Sequence, residues 1–301
     1  MNRTNILSFP GLGIDEFSLR EVAISLFNGK VEIAWYSLFI TSGIVFAFFY
    51  VMFRFKENKM NMEDLLDLAI FTVLPGIIGA RIYYVLFELD SYIVTTEGSF
   101  FANFFASLGK MVAIWNGGIA IYGAVIGGGL GAVLVARHKK ISIFKILDFL
   151  APGVMMAQAI GRWGNFFNAE AYGSETTLPW RMGIGHPVIR DGVLQTAWTY
   201  HHPTFLYESL WNLVGFLVIY FVFVRIKKNQ KFEGQIFYMY VTWYGIGRAM
   251  IEGLRTDSLW LIPDVIRVSQ LVAVITAIAG AAMITYNFIK LRKAKQNGEN
   301  N

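Results

Sequence analysis

Hydrophobic residues in this chain gather into long, nearly uninterrupted runs separated by short polar segments. A helix needs about 20 mostly apolar residues to cross a hydrocarbon layer of about 30 Å. Inside a bilayer the backbone amides must bond within the segment, so runs of that length are predicted to be helices. Seven runs qualify and indicate an all-α polytopic membrane protein with seven transmembrane helices, at about 34–54, 65–87, 112–136, 144–168, 203–224, 235–254 and 264–289.

The segments between the runs contain no long linker or low-complexity tract, so residues 1–301 are predicted to form a single membrane-embedded domain. We expect an external amino-terminal arm, an external cap segment and a basic cytoplasmic tail, at 1–33, 169–202 and 290–301. One short amphipathic helix, Phe17 to Phe27, is expected in the arm. Residues 88–110 are expected to join the cap segment.

Lysine and arginine are unevenly divided between the two sets of loops. Cytoplasmic loops of membrane proteins are enriched in these residues. The amino terminus is therefore predicted to lie outside and the carboxyl terminus in the cytoplasm. The richer set follows the first, third, fifth and seventh runs and holds Arg54, Lys56, Lys59, Arg137, Lys139, Lys140, Lys145, Arg225, Lys227, Lys228, Lys231, Lys290, Arg292, Lys293 and Lys295.

The amino-acid composition limits the classes of function that this chain can have. Apolar residues make up 55% of the chain and charged residues 16%, which is too hydrophobic for an ordinary soluble domain. The net charge of +5 is assigned to the cytoplasmic loops and not to nucleic-acid binding. The chain has no cysteine, so any reacting thiol must belong to a partner. Zinc-like Cys/His spacing, a nucleophile elbow and a nucleotide loop are all missing, and neither a metal nor a cofactor is expected.

Several polar residues fall inside the predicted spans, all toward the ends predicted to face outward. An arginine in the middle of a span costs at least about 2.5–3.5 kcal/mol, so such residues are usually paired, hydrated or functional. For Arg81 and Arg267 a structural ion pair or a headgroup anchor is the alternative to a functional role. The set comprises Arg81, Arg162, Arg248, Arg267, Tyr36, Trp115, Asn116, Tyr122, Tyr207 and Glu208.

The sixth run contains the stretch YGIGRAMIEGLRTDS, in which Arg248, Glu252 and Arg255 share one helical face. Glu252 could simply neutralise the arginines. Two arginines against one carboxylate would instead leave a positive surplus for a bound anion. Planar guanidinium groups suit phosphate, and the phosphate expected at this depth is a phospholipid headgroup.

Glycines are expected to bring helices close together. Gly161 and Gly164 flank Arg162 in the fourth run, where Arg162 and Asn165 share a face, and they would allow a helix or a ligand to approach the backbone. The many glycines of the third run are more typical of close helix packing in lipid than of a ligand site.

The stretch GRWGNFFNAEAYG, residues 161–173, resembles the signature of the prolipoprotein diacylglyceryl transferases, Gly-Arg-x-Gly-Asn-Phe-x-Asn-x-Glu-x-x-Gly. The resemblance implies a bacterial plasma-membrane enzyme with its active site toward the outer leaflet. Such an enzyme moves the sn-1,2-diacylglyceryl group of phosphatidylglycerol onto the cysteine thiol of a prolipoprotein signal peptide and releases glycerol phosphate. Further matching stretches are WYS with Tyr36, GARIYYVLF from Gly79, WNGGIAIYG from Trp115, DFLAP from Asp148, HPTFLYES from His202, YGIGRAMIEGLR from Tyr244 and SQL from Ser269.

The resemblance also implies roles for single residues. Arg162 and Arg248 take the positions of the family's phosphatidylglycerol-binding and essential arginines and would stabilise developing charge. Substrate binding is assigned to Arg162, Asn165, Asn168, Glu170, Gly173, Glu252, Tyr36 and Arg81.

Tyr122 departs from the family pattern, because several members carry histidine there as the proposed base. Tyrosine, with a reference pKa of about 10, is a poor base at neutral pH. We expect Tyr122 to act as a catalytic hydrogen-bond donor to the phosphate or glycerol oxygens. Glu170, Glu252 or His202 would then accept the thiol proton.

Two other classes of function remain as alternatives. Intramembrane arginine and glutamate also mark the pathways of transporters, but a transporter would carry polar residues in both leaflets. Here the predicted inner halves are nearly bare apart from Asp148. A noncatalytic assembly factor would need no clustered arginines.

Overall fold

The computed structural model describes residues 4–29, 31–95, 99–114, 117–190, 193–226 and 229–297. The predictions made for Trp115, Asn116, Lys227, Lys228 and the two chain ends lie outside these ranges. The chain forms two compact units, residues 1–50 with 147–301 and residues 51–146. The single domain inferred from the sequence stays a prediction.

Helices dominate the structure. They are α1 Trp35–Glu57, α2 Met62–Phe87, α3 Leu89–Tyr92, α4 Phe100–Val112, α5 Ile121–His138, α6 Ile143–Phe167, α7 Thr204–Val218 with a π-helical continuation Ile219–Val224, α8 Gln235–Glu252 and α9 Val268–Gln296. The strands are β1 Thr4–Phe9, β2 Ile14–Arg20, β3 Val22–Leu26, β4 Val31–Ala34, β5 Met182–Arg190, β6 Val193–His201, β7 Trp260–Ile262 and β8 Ile266–Arg267.

Among the described residues, six helices are long and apolar enough to cross a membrane: α1, α2, α5, α6, α7 with its continuation, and α9. The protein is therefore a mostly helical, multi-pass membrane protein. The sixth predicted span is the helix α8, whose 18 residues include Arg248, Glu252 and three tyrosines and are not apolar enough to count among these six. Its crossing of the membrane stays a prediction.

The all-α prediction is wrong outside these helices, where the chain forms antiparallel sheets. The largest sheet has the strand order β2-β1-β5-β6 and joins the first residues to segment 182–201. The helix expected from Phe17 to Phe27 is also wrong, because β2 and β3 occupy that segment. The inner side of the sheet buries Leu7, Met182 and Ile184 against Phe205 at the start of α7.

Two predicted spans begin later than expected. The third was predicted to begin at residue 112, but its helix begins at Ile121, after Gly117 and Gly118 with φ of 85° and 78°. Such left-handed backbone interrupts a helix and suits glycine. The seventh was predicted to begin at residue 264, but β8 precedes the helix, which begins at Val268.

In the unit 51–146, α2 and α5 lie in direct backbone contact. A Cβ added to Gly123, Gly127 or Gly131 would lie 2.1, 2.1 or 1.6 Å from a carbonyl oxygen of α2. Small residues every fourth position allow this approach in lipid. Lys139 also links the helices through ion pairs to Asp64 and Asp67, at 2.9 and 2.6 Å. The sequence-based interpretation of these glycines as packing residues is confirmed.

This contact predicts different outcomes for two glycines of α5. Gly131→Ala is expected to reduce the yield of folded protein, because the new Cβ would overlap the carbonyl of Phe71. Gly129→Ala is the matched control, since nothing lies within 4 Å of its Cβ, and helix propensity should raise stability by up to about 1 kcal/mol. Both variants are compared by the yield of folded protein after detergent extraction and by the midpoint of its thermal unfolding. Equal yields would contradict the backbone contact.

In the other unit, α7 and α8 are fixed side by side by two tryptophans. Trp211 and Trp243 stack with ring centroids 4.6 Å apart, and each indole N–H donates to the other residue's carbonyl at 2.9 Å. Gly215 and Gly247 make room, because a Cβ on either would lie within 2.4 Å of an indole nitrogen. This pairing sets the register between Glu208 on α7 and Arg248 on α8.

The amino-terminal end of α8 is held by a buried carboxylate. Asp148 on α6 accepts from the backbone N–H groups of Gly234 and Phe237, at 2.7 and 2.8 Å, and from Gln230 Nε2 at 2.8 Å. Helix amino termini leave such donors without intrahelical partners. Asp148, the residue that the sequence singled out in the predicted inner halves, therefore has a structural role.

Candidate active site

Three helices bring charged side chains together around Glu208. Its Oε2 lies 2.5 Å from Arg162 Nη2 on α6, and its Oε1 lies 2.9 Å from Arg248 Nη1 on α8. Arg255, in the turn after α8, places Nη1 3.7 Å from the same Oε1. The Glu208 side chain is only 4% exposed. One buried carboxylate therefore joins the two arginines that the sequence singles out.

Further carboxylates complete this group. Arg248 Nη2 lies 2.5 Å from Glu252 Oε2, as the i, i+4 spacing predicts. Arg255 makes two parallel bonds to Asp257, at 2.9 and 2.7 Å. We call the set Arg162, Glu208, Arg248, Glu252, Arg255 and Asp257 the ion network.

The balance of charge differs from the sequence-based expectation. Three arginines face three carboxylates in the ion network, so the predicted surplus of two arginines over one carboxylate is wrong. Hydrogen bonds from Arg255 lower the pKa of the Asp257 carboxyl and keep it ionised at neutral pH. A buried ion pair is costly to break, because a partner left alone is an uncompensated charge.

The arginines keep donors available for a ligand. A guanidinium has five N–H donors, more than the contacts with Glu208 and Glu252 use. The side chains of Arg162 and Arg248 are 21% and 15% exposed, whereas those of Glu208 and Glu252 are only 4% and 2% exposed. A cavity of about 10 Å³ lies beside Glu208 and Arg248, which is room for about one water molecule. A larger anion would have to open the network and exchange some of its contacts.

The signature turn extends the network. Asn165 accepts from Arg162 Nη1 at 3.2 Å and donates to Glu170 Oε1 at 2.9 Å. At the end of α6, Glu170 N bonds Asn165 O and Ala169 N bonds Phe166 O, which is the Schellman pattern. Ala169 and Ala171 adopt positive φ of 48° and 57°, although glycine is the usual residue there. The turn thus carries Glu170 back toward Asn165.

Gly173 fixes the far end of the signature. Its N–H donates to His202 O at 2.9 Å, and His201 Nδ1 lies 2.9 Å from its carbonyl oxygen. A Cβ there would lie 2.7 Å from His202 Cβ and 3.0 Å from Leu254 O. Glycine is required by this close approach.

Tyr36, Asn168 and His202 border the same region. A Cβ on Gly164 would lie 2.8 Å from Tyr36 Cδ2, so α1 approaches α6 as the signature glycine predicts. Asn168 is half-buried in the turn. His202 Nδ1 lies 3.2 Å from the hydroxyl of Tyr207. Burial, aided by the neighbouring His201, lowers the pKa of His202, which is therefore neutral at pH 7.

Arg81 and Tyr122 belong to the other unit, and their described contacts lie within it. Arg81 is buried and donates to the carbonyls of Lys110, Met111, Ala113, Gly117 and Gly118, at 2.6–3.2 Å. Tyr122 is 44% exposed, and its ring lies 6.1 Å from that of Tyr83.

Sequence reasoning missed Glu208 as a site residue, although it lies in the matching stretch HPTFLYES. The sequence did contain an indication of its role. A glutamate inside an apolar run is usually paired, and Glu208 lies at the predicted depth of several arginines that could pair with it. Among the described residues, no three His, Asp or Glu side chains gather where they could hold a metal ion. A larger open depression of about 510 Å³ lies on the sheet and is lined by residues outside the ion network, Glu175, Thr176, Thr177, Trp198, Thr199 and Tyr200.

Apolar helices together with a buried arginine–carboxylate cluster define a multi-pass membrane protein with a buried polar site. The sequence profile described as prolipoprotein diacylglyceryl transferase matches residues 21–286. The chain belongs to this family and is accordingly a transferase of lipoprotein biosynthesis.

Relatives named phosphatidylglycerol–prolipoprotein diacylglyceryl transferase share this similarity over almost their whole length. The one from Listeria innocua is 42% identical over 274 residues, 91% of each chain. Those from Listeria monocytogenes and Nostoc are 41% and 38% identical, over 91% and 90% of this chain and 91% and 93% of theirs.

Proposed function

We propose that the ion network binds the phosphate of phosphatidylglycerol while a prolipoprotein thiol takes the lipid's sn-1,2-diacylglyceryl group. The observation that carries this proposal is the placement of the Arg162 and Arg248 guanidinium groups on opposite oxygens of the Glu208 carboxylate. Guanidinium forks match phosphate oxygens as they match carboxylate oxygens. The phosphate takes over some of these contacts when the lipid binds.

In the proposed reaction the sulfur attacks the terminal glycerol carbon that carries the phosphate ester. The new C–S bond is a thioether, the C–O bond breaks, and glycerol phosphate leaves with the electron pair. Negative charge moves from sulfur to the departing phosphate. Arg162 and Arg248 stabilise that charge in a partly dehydrated site, where fixed donors are most effective.

The thiol proton passes to Glu170, Glu252 or His202. A cysteine has a pKa of about 8.5, so forming the thiolate at pH 7 costs only about 2 kcal/mol, and nearby arginines offset part of it. Burial lowers the pKa of His202, which leaves its imidazole neutral and able to take a proton but also makes it a weaker base. Glu252 is held by Arg248, and Glu170 is exposed beside Asn165.

The other signature residues bind and position the substrates. Asn165 links Arg162 to Glu170, and Gly173 keeps the turn against the start of α7. Tyr36 and Asn168 border that turn and are proposed to contact lipid or peptide. Arg81 is proposed to act in substrate binding through the backbone around Gly117 and Gly118.

Tyr122 is proposed to donate a hydrogen bond to the phosphate or glycerol oxygens. Tyr122→Phe removes only the hydroxyl, so the turnover number should fall while the folded yield stays normal. Tyr286→Phe is the control, since Tyr286 is also exposed, on α9. Full activity of Tyr122→Phe in a purified assay would remove this tyrosine from the mechanism.

The membrane arrangement is part of the proposal. Helix α8 is the sixth of seven spans, the amino terminus lies outside, the carboxyl terminus is cytoplasmic, and the network faces the outer leaflet of the bacterial plasma membrane. Basic residues in the last turns of α1, α5 and α9 support this orientation: Arg54, Lys56, Arg137, Lys293 and Lys295. The sheet and the segment 169–202 then form the external part of a single domain.

The proposed function has a direct test. Purified protein is incubated with phosphatidylglycerol and a signal peptide bearing cysteine. We expect the peptide to gain the mass of a diacylglyceryl group and an equal amount of glycerol phosphate to appear. A peptide with serine in place of cysteine should give neither product. Release of glycerol phosphate without a mass gain would indicate a phospholipid hydrolase instead.

A further inference from the structure

Helix α4 turns polar residues inward and apolar residues outward. Ser107 is buried, accepts from Val94 N and donates to Asn103 O, both at 2.8 Å, and Asn103 is half-buried. The exposed side chains, with 45–77% of their surface accessible, are Phe100, Phe101, Phe104, Phe105, Leu108 and Val112. Such a concentration of exposed aromatic surface marks an interaction site.

The helix has three distinct sides. Successive residues are about 100° apart around an α-helix. Asn103 and Ser107 therefore lie on one side, toward the protein, and the phenylalanines on a second. The third side is exposed and carries small or charged residues, namely Ala102, Ala106 and Lys110. These three sides suit a helix whose first side packs against the protein, whose second side faces an apolar medium and whose third side faces water.

Arg81 fixes the depth of α4 along α2. Its guanidinium donates to Lys110 O, Met111 O and Ala113 O, carbonyls at the end of α4. Arg81 precedes the last residue of α2, Phe87, by about 9 Å of helix rise. The end of α4 therefore lies beside the membrane-crossing part of α2, where Phe87 itself is 72% exposed.

The length of α4 excludes a crossing. Its 13 residues span about 20 Å, short of the hydrocarbon thickness of about 30 Å. A helix with one strongly apolar, aromatic face and one polar face can lie in the plane of the membrane interface. Helix α2 beside it also exposes apolar side chains, among them Ile78, Ile82 and Phe87, as a membrane-crossing helix does toward lipid.

We propose that α4 lies in the membrane interface, with its phenylalanine face among phospholipid acyl chains and its Ala106 side in water. Arg81 clamps the helix at this depth. Helix α4 is then a lipid-binding element and not a part of the cap expected from the sequence. The proposal does not depend on the role assigned to the ion network.

The absence of cysteine from the chain allows a clean test with single introduced thiols. Phe105→Cys and Ala106→Cys are neighbours on different sides of α4 and serve as a matched pair. Each is labelled with an environment-sensitive fluorophore and reconstituted into phosphatidylcholine–phosphatidylglycerol vesicles. Quenching is measured with iodide in the buffer and with lipids carrying a spin label near the headgroup end of the acyl chain. The rate of diacylglyceryl transfer is measured in parallel as a check of the fold.

We expect the probe at 105 to be quenched several-fold more by the spin-labelled lipid than the probe at 106, and the probe at 106 to be quenched several-fold more by iodide. Equal iodide quenching at both positions would place the helix in water and overturn the proposal. Protection of position 105 from both quenchers would show that protein covers the face, which also overturns it. Strong lipid quenching at both positions would mean that no side faces water and would be equally contradictory.

Discussion

Replacing Arg248 with lysine is expected to lower the turnover number for diacylglyceryl transfer by about 10²–10³-fold, the usual effect of losing one donor to a charged transition state. Arg248 contacts Glu208 through Nη1 and Glu252 through Nη2 and keeps further N–H donors for a phosphate. Lysine preserves the charge, but its ammonium cannot offer a planar fork of donors. The loss should therefore appear mainly in turnover, measured as glycerol phosphate released per enzyme.

Two controls separate chemistry from folding. Arg137→Lys makes the same change at an exposed residue ending α5 and should leave transfer unchanged. The thermal midpoint and folded yield of Arg248→Lys report any loss of structure. Arg162→Lys should behave like Arg248→Lys, because both guanidinium groups bind Glu208. Near-normal transfer by either variant at normal abundance would show that forked recognition of phosphate is not used.

Hydrophobic patterning located the apolar helices well because a single local property defines them. The fourth run, predicted at 144–168, is helix Ile143–Phe167. The strands were missed because they are short and each depends on a partner: most pair with the next strand along the chain, and β1 also pairs with the distant β5. Leu7 pairs with Ile184, and the segment from Phe17 is extended because it pairs with β1. A short amphipathic stretch does not by itself distinguish a helix from a strand with such a partner.

In the candidate site, too, contacts between residues close in sequence were predictable and contacts between distant residues were not. Arg162 with Asn165 and Arg248 with Glu252 are neighbours on single helices, so their spacing was enough to predict the contacts. Glu208 bonds to two other helices, and the tryptophan pairing that positions α7 against α8 has no sequence signature of its own. The position of Arg248 opposite Glu208 therefore emerged only from the folded chain.

Replacing Glu208 with glutamine is expected to be the most damaging change to the site. The carboxylate accepts bonds from Arg162 and Arg248 and lies near Arg255. An amide removes the negative charge and points an N–H₂ donor at a guanidinium donor. Breaking a buried ion pair from one side costs about 3–5 kcal/mol. We expect a lower thermal midpoint together with a large fall in transfer, since both arginines lose their common anchor.

The comparison with Glu208→Asp distinguishes charge from position. Aspartate keeps the charge but shortens the side chain, so the protein should regain much of its thermal stability while transfer stays impaired. Glu16→Gln, at an exposed position of β2, is the control for the loss of a carboxylate and should alter neither property. If Glu208→Gln kept both the thermal midpoint and the transfer rate, Arg162 and Arg248 would be held in place by other contacts. Glu208 would then have no part in organising the phosphate site.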